Sequence, residues 1–152
     1  MLSTIRLRGI PSECLTLELT ETSLMPHAEA AVPKLAALRT AGFPIALDDF
    51  GTGYSSLGYL KRFPVDQLKV DRSFVRDLTT DPQDEAIVGA IISLAQRFGL
   101  QVVAEGVETE AQAAKLRELG CRHAQGYYFA KPMPAPDLAH LLQSATLPAP
   151  TH

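Results

Sequence analysis

Apolar residues gather into five short runs, and between them apolar positions recur at helical spacing. The run at 15–20, Leu-Thr-Leu-Glu-Leu-Thr, predicts a first strand, and a helix follows over 28–40. Ala41-Gly42 ends that helix, because glycine readily takes the left-handed cap conformation. A second strand is predicted over 44–48, then a helical turn over 57–62 leading to Pro64. A third strand is expected over 65–71 and a helix over 84–98, with Ile87, Ile91, Leu94 and Phe98 along one face and Gly99 closing it. Residues 100–104 predict a fourth strand, 110–119 a helix closed by Gly120, 124–129 a fifth strand and 137–142 a last helix. Strict alternation of strand and helix predicts an α/β fold with a parallel sheet. The runs are apolar nearly throughout, as strands covered on both faces are. In such sheets ligands bind at the carboxyl ends of the strands.

Those ends carry an unusual share of the polar chemistry. The first strand holds Glu18 and leads to Glu21; the second ends in Asp48-Asp49; the third carries Lys69 and Asp71. The fourth leads into Glu105, with Glu108 just beyond, and Gln125 opens the fifth. Two adjacent carboxylates repel, so Asp48-Asp49 before a glycine-bearing turn calls for a cation. A rim of carboxylates almost without histidine suits a hard divalent ion such as magnesium, manganese or calcium. Two such ions bridged by one carboxylate suit phosphoryl chemistry. Taken singly, each feature has a plainer reading. Asp-Asp before glycine also makes an Asx turn, and Glu105 to Glu108 also reads as a helix entry with Thr109 as N-cap and Gln112 completing a capping box. A dinucleotide fingerprint at Gly51-Thr-Gly53 fails, because Ser56 stands at the third glycine position and Pro64 cuts the following helix short.

Composition narrows the classes further. With 152 residues, 46% hydrophobic and 20% charged, the chain reads as one soluble globular domain. A net charge of −3 gives no basic field for DNA. Cys14 and Cys121 are too few for a disulfide framework or a thiolate metal site, which fits a reduced, cytoplasmic setting. No apolar run reaches membrane-spanning length, and the first ten residues carry Arg6 and Arg8 without a signal-type apolar stretch. Residues 145–152 are expected to form a flexible tail.

In order along the chain, Glu18-Leu-Thr-Glu21, Asp48-Asp49-Phe-Gly-Thr-Gly-Tyr-Ser-Ser-Leu57, Leu68-Lys69-Val-Asp71, Ala104-Glu105-Gly-Val-Glu108 and Gln125-Gly-Tyr-Tyr-Phe-Ala-Lys-Pro132 resemble the EAL-domain family of bacterial cyclic di-GMP phosphodiesterases. The resemblance implies a (β/α)8 TIM-like barrel and hydrolysis of cyclic di-GMP to linear pGpG with two Mg2+ or Mn2+ ions. It implies Glu18 as a ligand of a first metal, Asp48 as the bridging carboxylate, and Asp49 and Glu105 as ligands of a second. Lys69 is implied to orient or polarise the attacking water, with Gln125 and Asp71 in support and Glu108 beside them. Glu21 is implied to anchor the Asp-Asp-Phe-Gly loop, which takes part in dimer contacts in the family.

The sequence also departs from the family. A (β/α)8 barrel needs about 250 residues, whereas five βα units are legible here, so 1–144 is expected to be the C-terminal portion of an EAL domain. No Glu-Ala-Leu segment stands at a strand end, and the sequence contains no asparagine, which the family takes from an early strand to bind metal. The first metal site is therefore expected to be half-built and activity weak or absent. A degenerate EAL module acting as a cyclic di-GMP receptor or protein-interaction scaffold is the alternative. Open sheet edges predict self-association, and an upstream sensory or GGDEF domain is expected in a parent protein.

Overall fold

The five apolar runs lie side by side in chain order as one parallel sheet, β1-β2-β3-β4-β5. The computed structural model describes residues 9–52 and 57–144. The elements are β1 (Leu17–Thr20), α1 (Glu21–Leu24), α2 (Ala28–Thr40), β2 (Ile45–Phe50), α3 (Leu57–Leu60), β3 (Gln67–Val70) and α4 (Arg72–Arg76). They continue through α5 (Pro82–Phe98), β4 (Gln101–Ala104), α6 (Glu110–Glu118), β5 (His123–Ala124) and α7 (Ala135–Ser144). Every neighbouring strand pair is parallel, so all the carboxyl ends share one rim. Sequential βα units in this order form the wall of a (β/α) barrel.

The sheet's cover is apolar. Ile45, Leu47, Leu68 and Val70 are essentially inaccessible, and α5 packs Val88, Ile91, Ile92 and Ala95 into the same cluster. The face expected of α5 holds at Ile91, which is buried, and at Leu94, which packs against the core, but its two ends are turned outward. Ile87 and Phe98 are exposed, and the buried stripe lies roughly a quarter turn away, at 100° per residue. The sheet selects the stripe with the smaller, branched side chains that sit close to Leu68 and Ala104.

Two short helices were not expected, and each is set by a cap. Thr20 accepts from Ser23 N at 3.3 Å to start α1, and Asp71 accepts from Ser73 N at 2.9 Å to start α4. Likewise Asp81 caps α5 with Pro82 at its first position, so that helix begins before the expected residue 84.

The fifth strand is much shorter than the expected 124–129. Pairing ends at Ala124, with Gln125 N still reaching Ala104 O at 2.8 Å. Tyr127 to Phe129 then form a turn, and Tyr128 N bonds Val107 O at 3.0 Å instead of a strand. The aromatic run carries strand propensity, but its backbone groups find partners in a loop, and all three rings stay exposed. Strand β2 departs in the opposite direction. It runs past Asp48 to Phe50, with a register shift against β3 between Leu47 and Phe50. Residues 53–56 of the glycine-bearing motif and the expected tail at 145–152 lie outside the described residues. Among the described residues no helix is long and apolar enough to cross a membrane.

The turned face of α5 is directly testable. Ile92→Ala, at 1% exposure, should lower the unfolding free energy by about 3 kcal/mol, and Ile87→Ala, at 38%, by about 1 kcal/mol or less. Denaturant titration of both variants measures the difference.

Candidate active site

Lys69 sits one residue before the end of β3, between β2 and β4, with its side chain over the rim and nearly buried. Three carboxylates close on its ammonium: Glu18 Oε2 from β1 at 2.7 Å, Asp48 Oδ1 from β2 at 3.3 Å and Glu105 Oε1 just beyond β4 at 2.6 Å. Parallel register makes this possible. Asp48 lies level with Thr20, and Lys69 with Val103, so side chains from four strands rise at one end. Gln125, after β5, adds a fifth contribution by donating from Nε2 to Glu105 Oε1 at 2.8 Å.

The backbone at Asp48-Asp49 is unusual. The register shift falls on these residues, and Asp49 has φ 54°, the described non-glycine residue with positive φ. A bulge of this kind re-aims side chains. Aspartate tolerates the left-handed region better than most residues, at about 1 kcal/mol. Asp49 N donates back to Asp48 Oδ1 at 3.0 Å, which fixes the Asp48 carboxylate against the bulge. Gly51 N, at the end of the bulge, lies 3.4 Å from Glu21 Oε2, and Glu21 is buried.

The charges set proton affinities in opposite senses. Burial alone would push the Lys69 ammonium down. Hydrogen bonds to Glu105 and Glu18, with the charges of Glu105 and Asp48, outweigh that and hold its pKa well above the ordinary lysine value. Asp49 moves up: burial leads, and the carboxylates of Asp48 and Asp71 add to it against a smaller pull from Lys69. At Asp71 burial acts upward, but hydrogen bonds from Ser73 and Arg72 outweigh it and the pKa falls. Asp49 thus costs stability at neutral pH, because the folded state holds its proton more tightly than the unfolded chain does.

The residues singled out in the sequence separate into groups. Glu18, Asp48, Lys69, Glu105 and Gln125 meet directly. Asp49 and Asp71 face each other beside them. Glu21 lies under the Asp-Asp-Phe-Gly loop, and Glu108 stands apart on the wall of a neighbouring recess. That recess, about 610 Å3, is lined by Arg72, Glu105, Gln125, Tyr127 and Met133 among others. Arg72 carries no motif spacing that marks it as a site residue, and Tyr127 lies within the Gln125–Pro132 block without being singled out. A larger recess, about 930 Å3, opens at the other end of β4 and β5 beside Gln101, Cys121 and His123, away from the carboxylates.

A divalent ion is what the donor set suits: hard oxygens from separate strands that already converge on a positive charge. As the side chains stand, Lys69 Nζ is that charge, and among the described residues no three acidic, histidine or cysteine side chains are grouped at ligating spacing. The donors fit the ion by chemistry and by convergence, with the carboxylates now drawn in on the lysine.

The family model for the EAL domain matches residues 1–132. The chain belongs to the EAL-domain family. It is 48% identical over 136 residues to cyclic di-GMP phosphodiesterase NbdA of Pseudomonas aeruginosa, covering 90% of this chain and 17% of that protein. It is 51% identical over 124 residues to the bifunctional diguanylate cyclase/cyclic di-GMP phosphodiesterase MucR of the same organism, covering 82% of this chain and 18% of that one. The MucR phosphodiesterase structure, a c-di-GMP complex, superposes with TM-score 0.87 at 46% identity, over 90% of this chain and 56% of that one. A manganese/cyclic di-GMP complex of Klebsiella pneumoniae BlrP1 superposes with TM-score 0.78 at 37% identity, over 84% and 32%. The chain thus spans about a fifth of the length of the curated relatives it matches. The parallel wall is part of an EAL barrel, and the lysine–carboxylate rim lies at the barrel's carboxyl-end mouth.

In this EAL chain, Lys69→Met should cost about 2 kcal/mol, less than for a fully buried pair because Glu18 is half exposed. The folded Lys69 pKa lies above the unfolded one. Its contribution is therefore complete below the unfolded value of about 10.4 and disappears as pH rises through the folded value. Denaturation of wild type and variant at neutral pH measures the loss. Millimolar Mn2+ should restore more stability to the variant than to wild type, since three carboxylates then face one another without a counter-charge.

Proposed function

We propose that these residues are the C-terminal portion, 1–144, of a cyclic di-GMP phosphodiesterase domain, which hydrolyses one phosphodiester to give linear pGpG. The observation that carries this reading is the convergence of Glu18, Asp48 and Glu105 on Lys69 at the mouth of an EAL barrel wall. Relatives described as cyclic di-GMP phosphodiesterases, and complexes of relatives with cyclic di-GMP and manganese, support it.

Asp48, Asp49 and Glu105 would hold one Mg2+ or Mn2+, and Glu18 would contribute to a second site. Such ions screen the phosphate and make bound water a nucleophile near neutral pH. Lys69, whose pKa its carboxylate neighbours raise, would supply a positive charge that orients or polarises the attacking water. Gln125 orients Glu105 through its amide. Glu21 tethers the loop after Asp49 from below, and Asp71, bonded by Ser73 N, adds negative charge beside Asp49 that a bound cation would offset. Arg72 and Glu108 would line the path to the recess that receives part of the substrate.

The Glu-Ala-Leu strand end and the asparagine implied by the family are not in this sequence. The first metal site is then partial, and turnover by these residues alone is weak. The alternative reading is a degenerate module that binds cyclic di-GMP or a protein partner without hydrolysis. Edge strands β1 and β5, or the Asp-Asp-Phe-Gly loop, would bring two copies together. A cytoplasmic setting suits a nucleotide second messenger, and a GGDEF or sensory domain would lie elsewhere in the parent protein.

Chromatographic product analysis with Mn2+ and cyclic di-GMP should show slow pGpG formation that is lost in Glu105→Gln. Binding in a calorimeter with no pGpG would leave the receptor reading, and neither binding nor product would remove both.

A further inference from the structure

The loop from Glu105 to Glu108 is held from three sides, and one of the holders has no place in the chemistry above. Glu105 N is bonded to Val70 O at 3.1 Å, which ties the start of the loop to β3. Val107 is fully buried; its N donates to Gln125 O at 3.1 Å and its O accepts from Tyr128 N at 3.0 Å. The approach is so close that a Cβ on Gly126 would fall 2.1 Å from Val107 O, and one on Gly106 would fall 2.6 Å from Arg72 Cβ. The third holder is Gln112, a buried carboxamide on the first turn of α6. Its Oε1 accepts from Glu108 N at 2.8 Å and Thr109 N at 3.0 Å, and its Nε2 donates to Arg76 O at 3.1 Å.

The bond from Thr109 N belongs to an ordinary capping box, and the one from Glu108 N extends it by one residue. The third does not, because no helix start requires a donor aimed 36 residues back along the chain. It bolts the Glu105 loop to the end of α4, the helix that follows Lys69 and Asp71 directly. We propose that Gln112 is a positioning residue: through Glu108 and Val107 it sets the Gln125 loop, and with it the Glu105–Gln125 hydrogen bond that orients a candidate metal ligand. This rests on the proposed function only where it concerns metal; the brace itself is a matter of the fold.

Gln112→Glu separates the two roles. It keeps the acceptor for Glu108 N and Thr109 N but replaces the donor with a carboxylate facing Arg76 O. Thr109→Ala is the converse control, since it removes the cap hydroxyl and leaves the bolt. In the full chain, nitrogen–proton NMR should show the Gln125 side-chain amide displaced in Q112E and unchanged in T109A. Mn2+ affinity, read by electron paramagnetic resonance, should fall about tenfold in Q112E, the usual effect of losing an outer partner of a ligand, and stay within twofold in T109A. Lowering the pH protonates the introduced carboxylate and restores a donor, so the Q112E amide should move back toward that of wild type at the same pH. If Q112E does not fold, Gln112→Met keeps the volume, removes the bolt together with the cap acceptor, and should displace the same signal by more than T109A does. A Gln125 amide unmoved in the folded variant, or moved equally in T109A, overturns the proposal. Absence of Mn2+ binding in wild type would instead count against the proposed function, and the NMR comparison would still decide the brace.

Discussion

A nearly buried ammonium surrounded by carboxylates from different strands governs the functional end of this fold. Burying Lys69 without partners would cost several kcal/mol or discharge it. Glu18, Asp48 and Glu105 prevent this, and they reach it because parallel strands deliver their carboxyl ends to one rim. The attraction works in both directions. The lysine holds together anions that would otherwise repel, and keeps them aimed at the point where a divalent ion would be useful. One ammonium faces three carboxylates, so the cluster keeps a net negative charge that a further cation would offset by rearranging a few side chains.

The backbone around that cluster carries the local irregularities of the sheet. The shift between Leu47 and Phe50 and the positive φ of Asp49 coincide with the two adjacent acids. A regular strand would have sent Asp48 and Asp49 to opposite faces of the sheet. The bulge, with Asp49 N folded back onto Asp48, keeps both near the mouth. Its cost is offset by the packed strands beneath, where Leu47 and Leu68 are among the most buried residues of the chain. Across the mouth, the Glu105 and Gln125 loops lean on each other so closely that glycine is required where they touch. Rigid contacts on one side and a strained bulge on the other hold acids that no single element could position.

Much of this was legible in the residues. Alternating apolar runs specified the parallel sheet, and acids at successive strand ends pointed to one polar rim, where they converge on Lys69. The failures have physical causes. The aromatic run Tyr127 to Phe129 has strand propensity, but Val107 captures its backbone. The expected and the buried stripes of α5 share Ile91 and are equally regular, and only packing against the sheet turns Ile87 and Phe98 outward. Helices α1 and α4 hang on single caps, too short for periodicity to register. Gln112 read as a cap because its second partner, Arg76 O, is distant in the chain.

The sequence by itself determined the class of fold, the family and the identity of the polar groups, since these follow from local pattern and from motifs written in chain order. Only the tertiary structure decided which of those groups meet. That Lys69 is the hub and not a surface lysine, and that Asp49 faces Asp71, depend on strand register and on a one-residue shift in β2. Side chains on a strand alternate between faces, so a single step in register moves a carboxylate from one side of the sheet to the other. No property of the isolated residue records that step.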